Sequence, residues 1–222
     1  MGFLKPTGKI AKFFKTSQQY TYRKGEIILR PEDIPSGTYY VERGFIKCYS
    51  ITPDGTENIY VIFQAGDIFP ARWHFVEDAD NKLFYEAITS VVLHRKLLTV
   101  FEGFYSSDLE AALEMQNANL IIINILARRI ENLEHTKAYA RVILRLLGLA
   151  DGFGKKNGNK VVLDIPITHY DFAHTINMSR ETASRELEQL QRKKLITEKN
   201  HIVTINDLEK LEDELEEFYL NK

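Results

Sequence analysis

Apolar and polar residues follow two different periods along the chain. Between about residues 20 and 98, short runs rich in Tyr, Ile, Val and Phe are separated by a glycine about every ten residues, which predicts an all-β sandwich or barrel. After residue 106, apolar residues return at steps of three and four, the period of an α-helix. The chain is therefore predicted to be an α+β protein, with a jelly-roll-like antiparallel β-roll first and helices after it.

The β-roll is predicted from strands that end at turn-forming residues. Pro53-Asp54-Gly55 is the strongest turn signal, because Pro, Asp and Gly each suit the backbone of a tight turn. The predicted strands are Glu26–Arg30, Thr38–Arg43, Phe45–Ile51, Glu57–Gln64, Leu83–Thr89 and Val91–Lys96. This first domain is predicted to span residues 1–105.

One long helix is predicted from Ser106 to about His135, within a dimerisation and hinge segment placed at residues 106–137. A heptad seam runs along it, of the kind that pairs a helix with its own copy. Its residues are Leu109, Ala112, Gln116, Asn119, Ile123, Leu126, Ile130 and Leu133. The alternative is a helix that packs on its own β-roll, and Leu113, Leu120 and Ile122 are expected to do so.

Two short helices with a tight turn between them are predicted from Ile167 to Leu190. Thr168 is a good N-cap, and Asp171 completes a capping box. Asn177 can take the left-handed conformation that ends a helix, and Ser179 caps the next helix. The expected buried face consists of Phe172, Ala173, Ile176, Ala183, Leu187 and Leu190.

The outward face at the start of the second helix carries Arg180, Glu181, Ser184 and Arg185. In a helix-turn-helix, this part of the second helix enters the major groove of DNA. Arg can donate two hydrogen bonds to guanine, and Glu can accept one from cytosine. The alternative is an ordinary solvated face. The capped helix before these residues and the hairpin predicted after them favour DNA binding.

A small hairpin wing is predicted after the second helix, from strands Leu195–Glu198 and Ile202–Ile205. Lysines around it are expected to contact DNA phosphates, with solvated charges as the alternative; they are Lys193, Lys194 and Lys199. The acidic last helix, Asn206 to Lys222, is expected to dock on the protein because DNA would repel its charge. The segment from Asp151 to Lys160 is predicted to be a polar, glycine-rich loop.

The run MSRETASRELEQLQRKKLI, residues 178–196, resembles the recognition helix of the Crp/Fnr superfamily of bacterial transcription regulators. The resemblance implies base contacts by Arg180, Glu181, Ser184 and Arg185, and a parallel homodimer through the long helix. It also implies contacts with RNA polymerase near Lys155. Phosphate contacts by Ser179 and Thr182 are also implied, and the full set of expected phosphate contacts is Thr168, His169, Ser179, Thr182, Lys193 and Lys199. Asn177 stands where the family usually has glycine.

The glycine-punctuated run YRKGEIILRPEDIPSGTYYVERGFIKCY resembles the β-roll of the cyclic-nucleotide-binding domain, the sensor half of the same family. Members that bind cyclic AMP hold the ribose with a Gly-Glu pair and the phosphate with an Arg-Ser pair. Here the first pair is matched by Pro70 and Ala71, and the second by Asn81 and Lys82. Both anchors are missing, so a cyclic nucleotide is not expected.

The segment around the single tryptophan is a candidate effector pocket of another kind. Arg72 and His74 would be its polar anchors and Trp73 an aromatic wall, with Lys82, Gln116 and Asn119 as further candidates. One alternative is that Trp73 belongs to the core while Arg72 and His74 are exposed. Haem ligation by His74 is a lesser alternative, which the resemblance alone suggests.

Composition limits the classes of function and cofactor that remain. The net charge of −2 argues against a general polyanion binder but permits a local basic patch. The single cysteine, Cys48, excludes a disulfide or a cysteine-held iron–sulfur cluster within one chain, and it is expected to be buried in a strand. No histidine spacing predicts a metal site, and no residue set predicts an enzyme. Without a signal peptide or membrane span, the expected location is the cytoplasm.

These observations predict a site-specific DNA-binding transcription regulator that is a homodimer on a palindromic operator. Its third domain, residues 138–222, is predicted to be a winged helix-turn-helix. The effector remains open. The second hypothesis is a small-molecule sensor whose helix-turn-helix no longer binds specific DNA.

Overall fold

The computed structural model describes residues 7–70 and 82–220. Contacts divide the chain into two units, residues 1–126 and 127–222. The helices are α1 Lys9–Lys15, α2 Leu98–Ser107, α3 Leu109–Glu134, α4 Ala138–Phe153, α5 His169–Thr175, α6 Arg180–Arg192 and α7 Leu208–Leu220. The strands are β1 Gln19–Tyr22, β2 Ile27–Leu29, β3 Thr38–Arg43, β4 Ile46–Ile51, β5 Glu57–Phe63, β6 Ile68–Phe69, β7 Phe84–Ala87, β8 Val91–Lys96, β9 Gly154–Asn157, β10 Lys160–Leu163, β11 Ile196–Lys199 and β12 Ile202–Ile205.

The first unit is an antiparallel β-roll, which confirms the predicted fold class. Its two sheets have the strand orders β1-β8-β3-β6 and β2-β7-β4-β5. Between them lies an apolar core with stacked aromatic rings; the ring centroids of Tyr39 and Phe69 are 5.4 Å apart, and those of Phe69 and Tyr85 are 5.2 Å apart. The predicted strands are present with small changes at their ends. The short strands β1 and β6 and the helix α2 were not predicted.

Helix α3 leaves most of the predicted seam exposed, but the side that packs on the roll differs from the expected one. Leu113 and Leu120 are 51% and 55% exposed, although they were expected to pack on the roll. Leu126 was placed in the dimer seam, but it is half-buried against the core of the roll. The exposed residues of α3 in this unit include Leu109, Leu113, Gln116, Leu120 and Ile123, which follow steps of four and three. Leu113 and Leu120 therefore add to the exposed face of α3, on which the predicted seam residues Leu109, Gln116, Asn119 and Ile123 also lie.

The second unit contains helices α4 to α7 and a sheet of order β11-β12-β10-β9. The segment from Asp151 to Lys160 is not a loop, contrary to the prediction. Helix α4 continues to Phe153, and β9 then pairs with β10 across a turn at Gly158, whose φ is 59°. The polar side chains of β9 gave no alternating signal, so only its pairing with β10 defines it. Helix α7 packs on α4, as predicted.

None of the helices within residues 7–70 and 82–220 is both long and apolar enough to cross a bilayer.

Candidate nucleic-acid interface

The interface begins with two helices whose first turns are capped as the sequence predicted. Thr168 Oγ1 accepts a hydrogen bond from the backbone N–H of Asp171 at 3.0 Å and donates one to its carboxylate at 2.6 Å. Ser179 Oγ accepts from the N–H of Thr182 at 3.2 Å. Each cap satisfies an otherwise unpaired N–H and fixes where its helix begins. Thr168 and Thr182 are half-buried and Ser179 is exposed.

The turn between α5 and α6 depends on one left-handed residue and on two arginines of α4. Asn177 has a φ of 49°, which confirms the expected conformation. The guanidinium of Arg141 donates to the carbonyl of Asn177 at 3.2 Å, and Arg145 Nε donates to Thr175 Oγ1 at 2.8 Å. Burial lowers the pKa of Arg145 to about 10. These two contacts tie the turn to α4, and the sequence pattern had not indicated them.

Helix α6 has one buried and one exposed face. Ala183, Leu187 and Leu190 are almost completely buried, as predicted. On the other side, Arg180, Glu181 and Arg185 are exposed and Ser184 is half-buried. Among the described residues, neither the side chain of Arg180 nor that of Glu181 has a hydrogen-bond or ion-pair partner in the protein. The first two turns of α6 thus present arginine donors and a glutamate acceptor to solvent.

Arg185 is held in place by the following residue, Glu186. Its Nε and Nη2 donate to Glu186 Oε1 at 3.1 and 2.9 Å. The Glu186 side chain is only 10% exposed, whereas that of Arg185 is 66% exposed. A buried carboxylate therefore fixes an exposed guanidinium. The sequence signal for this contact is the Arg185-Glu186 dipeptide itself.

Ser184 is linked to the wing through His169. The ring Nδ1 of His169 lies 2.8 Å from Ser184 Oγ, and its Nε2 lies 2.7 Å from Glu198 Oε2. Both nitrogens of a residue expected to contact phosphate are thus bonded within the protein. An open groove of about 300 Å³ lies beside them, lined by Thr168, His169, Tyr170, Arg180, Glu198 and His201.

The wing is a hairpin with a two-residue turn, Asn200-His201, in which both residues have positive φ. This is the backbone of a type I′ turn, which matches the twist of paired strands. Lys199, the last residue of β11, is exposed beside the turn. The N–H of Ile167 donates to the carbonyl of His201 at 3.0 Å, which joins the wing to the chain before α5.

The two lysines after α6 differ in their surroundings. Lys193 Nζ lies 2.5 Å from Glu214 Oε1 of α7, so its ammonium is paired with the acidic helix and not left free for phosphate. Tyr139 donates to the same Glu214 oxygen at 2.8 Å, and burial raises the pKa of Tyr139. Lys194 is exposed, with a φ of 60° at the end of the helix.

The candidate effector residues are only partly placed. Arg72, Trp73 and His74 lie outside the described residues. Lys82, Gln116 and Asn119 are exposed in the first unit. Cys48 is buried in β4, as predicted, and burial raises the pKa of its thiol to about 12. Within the described part of the chain, no group of three or more His, Cys, Asp or Glu side chains could hold a metal ion.

Comparison with known families matches each half of the chain separately. Residues 19–95 match the cyclic nucleotide-binding domain, and residues 140–214 match the Crp-like helix-turn-helix domain. The chain belongs to the Crp/Fnr family of transcription regulators. Members of this family bind DNA and act as dimers. The order of the two Crp/Fnr domains and the presence of a long helix between them agree with the sequence prediction.

Individual Crp/Fnr relatives are distant but extend over most of the chain. The global nitrogen regulator of Nostoc sp. is 22% identical over 187 residues, which covers 84% of each protein. The CRP-like cAMP-activated global transcriptional regulator of Mycobacterium tuberculosis is 23% identical over 91% of this chain and 90% of that one. A solved CooA variant from Carboxydothermus hydrogenoformans has a TM-score of 0.76 at 20% identity, covering 92% of this chain and 90% of that one. The names of these relatives point to different signals.

Proposed function

We propose that this chain is a homodimeric, site-specific regulator that reads a palindromic operator with helix α6. The observation that carries this proposal is the exposed start of α6, where Arg180, Glu181 and Arg185 face solvent while the opposite side of the helix is buried. In a helix-turn-helix this part of the helix enters the major groove. Ser179, Thr182 and Lys199 surround it and are proposed to hold phosphates. The place of action is then the bacterial cytoplasm, where the chromosome lies.

The proposed dimer contact is the exposed apolar face of α3. Leu109, Leu120 and Ile123 are 77%, 55% and 61% exposed. Together with Leu113 and Gln116, they follow heptad spacing, which suits pairing of two identical helices. In the second unit, Ile130 is also 62% exposed. A second copy would cover these side chains and would give the two recognition helices the two-fold symmetry of a palindrome.

The proposed effector is not a cyclic nucleotide. A cyclic phosphate needs a cation or several N–H donors, and a ribose needs a polar partner. The apolar and aromatic side chains that make up the described core of the roll support this proposal. Pro70 stands where the family has part of its ribose anchor. Of the candidate effector residues, Lys82 is the described cation that lies nearest in sequence to the segment around Trp73.

RNA polymerase is a further proposed partner. Lys155 and Lys156 of β9 are exposed, and Lys155 Nζ lies 2.6 Å from Asp164 Oδ2. This hairpin stands in the chain where the family resemblance places a polymerase contact. A surface ion pair of this kind contributes little to folding stability, so both groups remain available to a partner.

Substitution of the two predicted guanine readers tests the function. With an operator that the chain enriches from fragmented bacterial DNA, R180A and R185A should each lose about tenfold or more in affinity, the cost of one bidentate base contact. The loss should disappear on unrelated DNA. R192A is the charge-matched control, because Arg192 is exposed at the far end of the same helix. It should weaken binding to the operator and to unrelated DNA equally. Equal effects of all three variants would favour the second hypothesis, a sensor without specific DNA binding.

A further inference from the structure

Ser184, His169 and Glu198 form a hydrogen-bonded relay across three elements of the second unit. Ser184 belongs to α6, His169 begins α5, and Glu198 lies in the wing strand β11. The two heavy-atom distances in the relay are 2.8 and 2.7 Å, both short enough for strong hydrogen bonds. The side chains of His169 and Glu198 are only 26% and 17% exposed, so water competes weakly for them.

The carboxylate determines which ring nitrogen of His169 carries hydrogen. An ionised carboxylate only accepts hydrogen bonds, so Nε2, which faces Glu198, must be the protonated nitrogen. In the neutral ring, Nδ1 then has a lone pair and accepts from the hydroxyl of Ser184. The hydroxyl hydrogen is consequently directed inward. Ser184 is left with oxygen lone pairs as its outward hydrogen-bonding group.

We infer that the His169–Glu198 pair sets the base preference of Ser184 by making its hydroxyl an acceptor. This inference rests on the proposed function, in which Ser184 meets a base edge. In the major groove, only cytosine and adenine present amino groups that donate, whereas thymine and guanine present carbonyl oxygens that accept. Ser184 therefore favours cytosine or adenine. A serine without this relay could rotate its hydroxyl and bond to any of the four bases.

Protonation of His169 would reverse the polarity of Ser184. A cationic ring donates from both nitrogens, so Ser184 Oγ would accept from Nδ1 and its own hydrogen would turn outward. The charged groups facing His169 across the groove are Glu198 of the wing and Arg180 of α6. His201 Nδ1 lies 3.8 Å from the other oxygen of Glu198. The neutral state is tested at pH 8, above the range in which histidine usually gains its proton.

The first measurement needs no DNA. Nitrogen-15 NMR of the full-length protein at pH 8 reports which nitrogen of His169 is protonated, with H169A to identify the signals. The inference predicts the Nε2–H tautomer in the wild type and a mixture of both tautomers in E198A. A wild-type Nδ1–H tautomer, or a cationic ring at this pH, would overturn it.

The second measurement is the affinity of each variant for operators that carry each of the four bases at one position. S184A identifies that position as the one where its base preference disappears. The wild type should favour cytosine or adenine over thymine by about fivefold, the value of about one hydrogen bond. This ratio should fall to about twofold or less in H169A and E198A. E188A removes an exposed carboxylate of α6 that lies outside the relay, and it should keep the wild-type ratio.

The outcomes separate the two proposals. If H169A and E198A bind and melt like the wild type but keep its base preference, the relay does not control Ser184 and the inference is wrong. If the wild type selects no sequence at all, the proposed function fails and the inference falls with it. An intact Nε2–H tautomer in that case would locate the failure in DNA binding and not in the relay.

Discussion

Arg185 donates two hydrogen bonds to Glu186, its neighbour along α6, and both end on the same carboxylate oxygen. The carboxylate is nearly buried while the guanidinium is mostly exposed. In the proposed DNA complex, such a side chain would enter the groove already oriented and would lose less rotamer entropy when it meets a base. The Nη1 donors of Arg185 remain available for guanine.

Substitution of Glu186 should therefore weaken base discrimination at the position read by Arg185. E186Q keeps the side-chain shape but loses the ionic hydrogen bonds. The preference for guanine over adenine should fall by about threefold to tenfold, since an immobilised side chain saves about 0.5–1.5 kcal/mol. Competition binding with the two operators measures this ratio. E188Q removes the same charge from an exposed site, so an equal fall in that variant would contradict this account.

The hydrogen bond between Arg145 and Thr175 should contribute to the stability of the second unit. T175V removes the hydroxyl that accepts this hydrogen bond while nearly keeping the shape of the side chain. Because Thr175 is only 2% exposed, the N–H of Arg145 is left unpaired. The free energy of unfolding should fall by about 1–3 kcal/mol. Urea denaturation followed by circular dichroism measures it. T204V, in strand β12, makes the same change outside this contact and should stay within about 0.5 kcal/mol of the wild type.

The left-handed backbone of Asn177 predicts opposite results for two small substitutions. N177A keeps the Cβ but loses the short polar side chain that lets Asn tolerate the left-handed conformation, so the protein should lose stability, by at most about 1–2 kcal/mol, the cost of this conformation for other residues. N177G adopts the same φ without strain, and its stability should stay close to the wild type because its greater flexibility when unfolded offsets the relief. Thermal unfolding of the three proteins tests the order. A glycine variant as unstable as the alanine variant would refute it.

The buried thiol of Cys48 predicts a loss of stability at high pH. Its pKa is raised to about 12 in the folded protein, against about 8.5 when unfolded. The folded state thus keeps the proton that the unfolded state releases. The contribution is complete below about pH 8.5 and is lost as the pH rises towards 12. Relative to C48A, the wild type should lose about 2 kcal/mol between pH 8 and pH 10. Parallel pH curves for the two proteins would contradict the shift.

Features fixed by neighbouring residues could be predicted from the sequence. The caps at Thr168 and Ser179 and the turn at Asn177 each depend on hydrogen bonds or dihedral angles within about three residues. The strands β3 and β8 were predicted with their observed ends because each is a short run rich in apolar residues, and β3 lies between the turn residues Gly37 and Gly44. The fold class followed from these local signals together with the family resemblance.

Features that depend on distant partners could not be predicted. Glu198 meets His169 across 29 residues of sequence, and nothing near either residue indicates the contact. The buried side of α3 was missed for a similar reason. The helical period does not tell whether Leu113 or Leu126 faces the roll, and only the packing of the folded unit shows that Leu126 does. Strand β9 exists through its pairing with β10.

Selection of bound sequences from a random DNA pool by the full-length protein tests the central claim most directly. Two copies reading through α6 should enrich a two-fold symmetric motif whose half-sites are centred about 10 base pairs, one helical turn, apart. G·C pairs should stand at the positions met by Arg180 and Arg185, and R180A and R185A should lose preference at those positions alone. An asymmetric motif, or the absence of any motif, would contradict a dimeric reader of DNA.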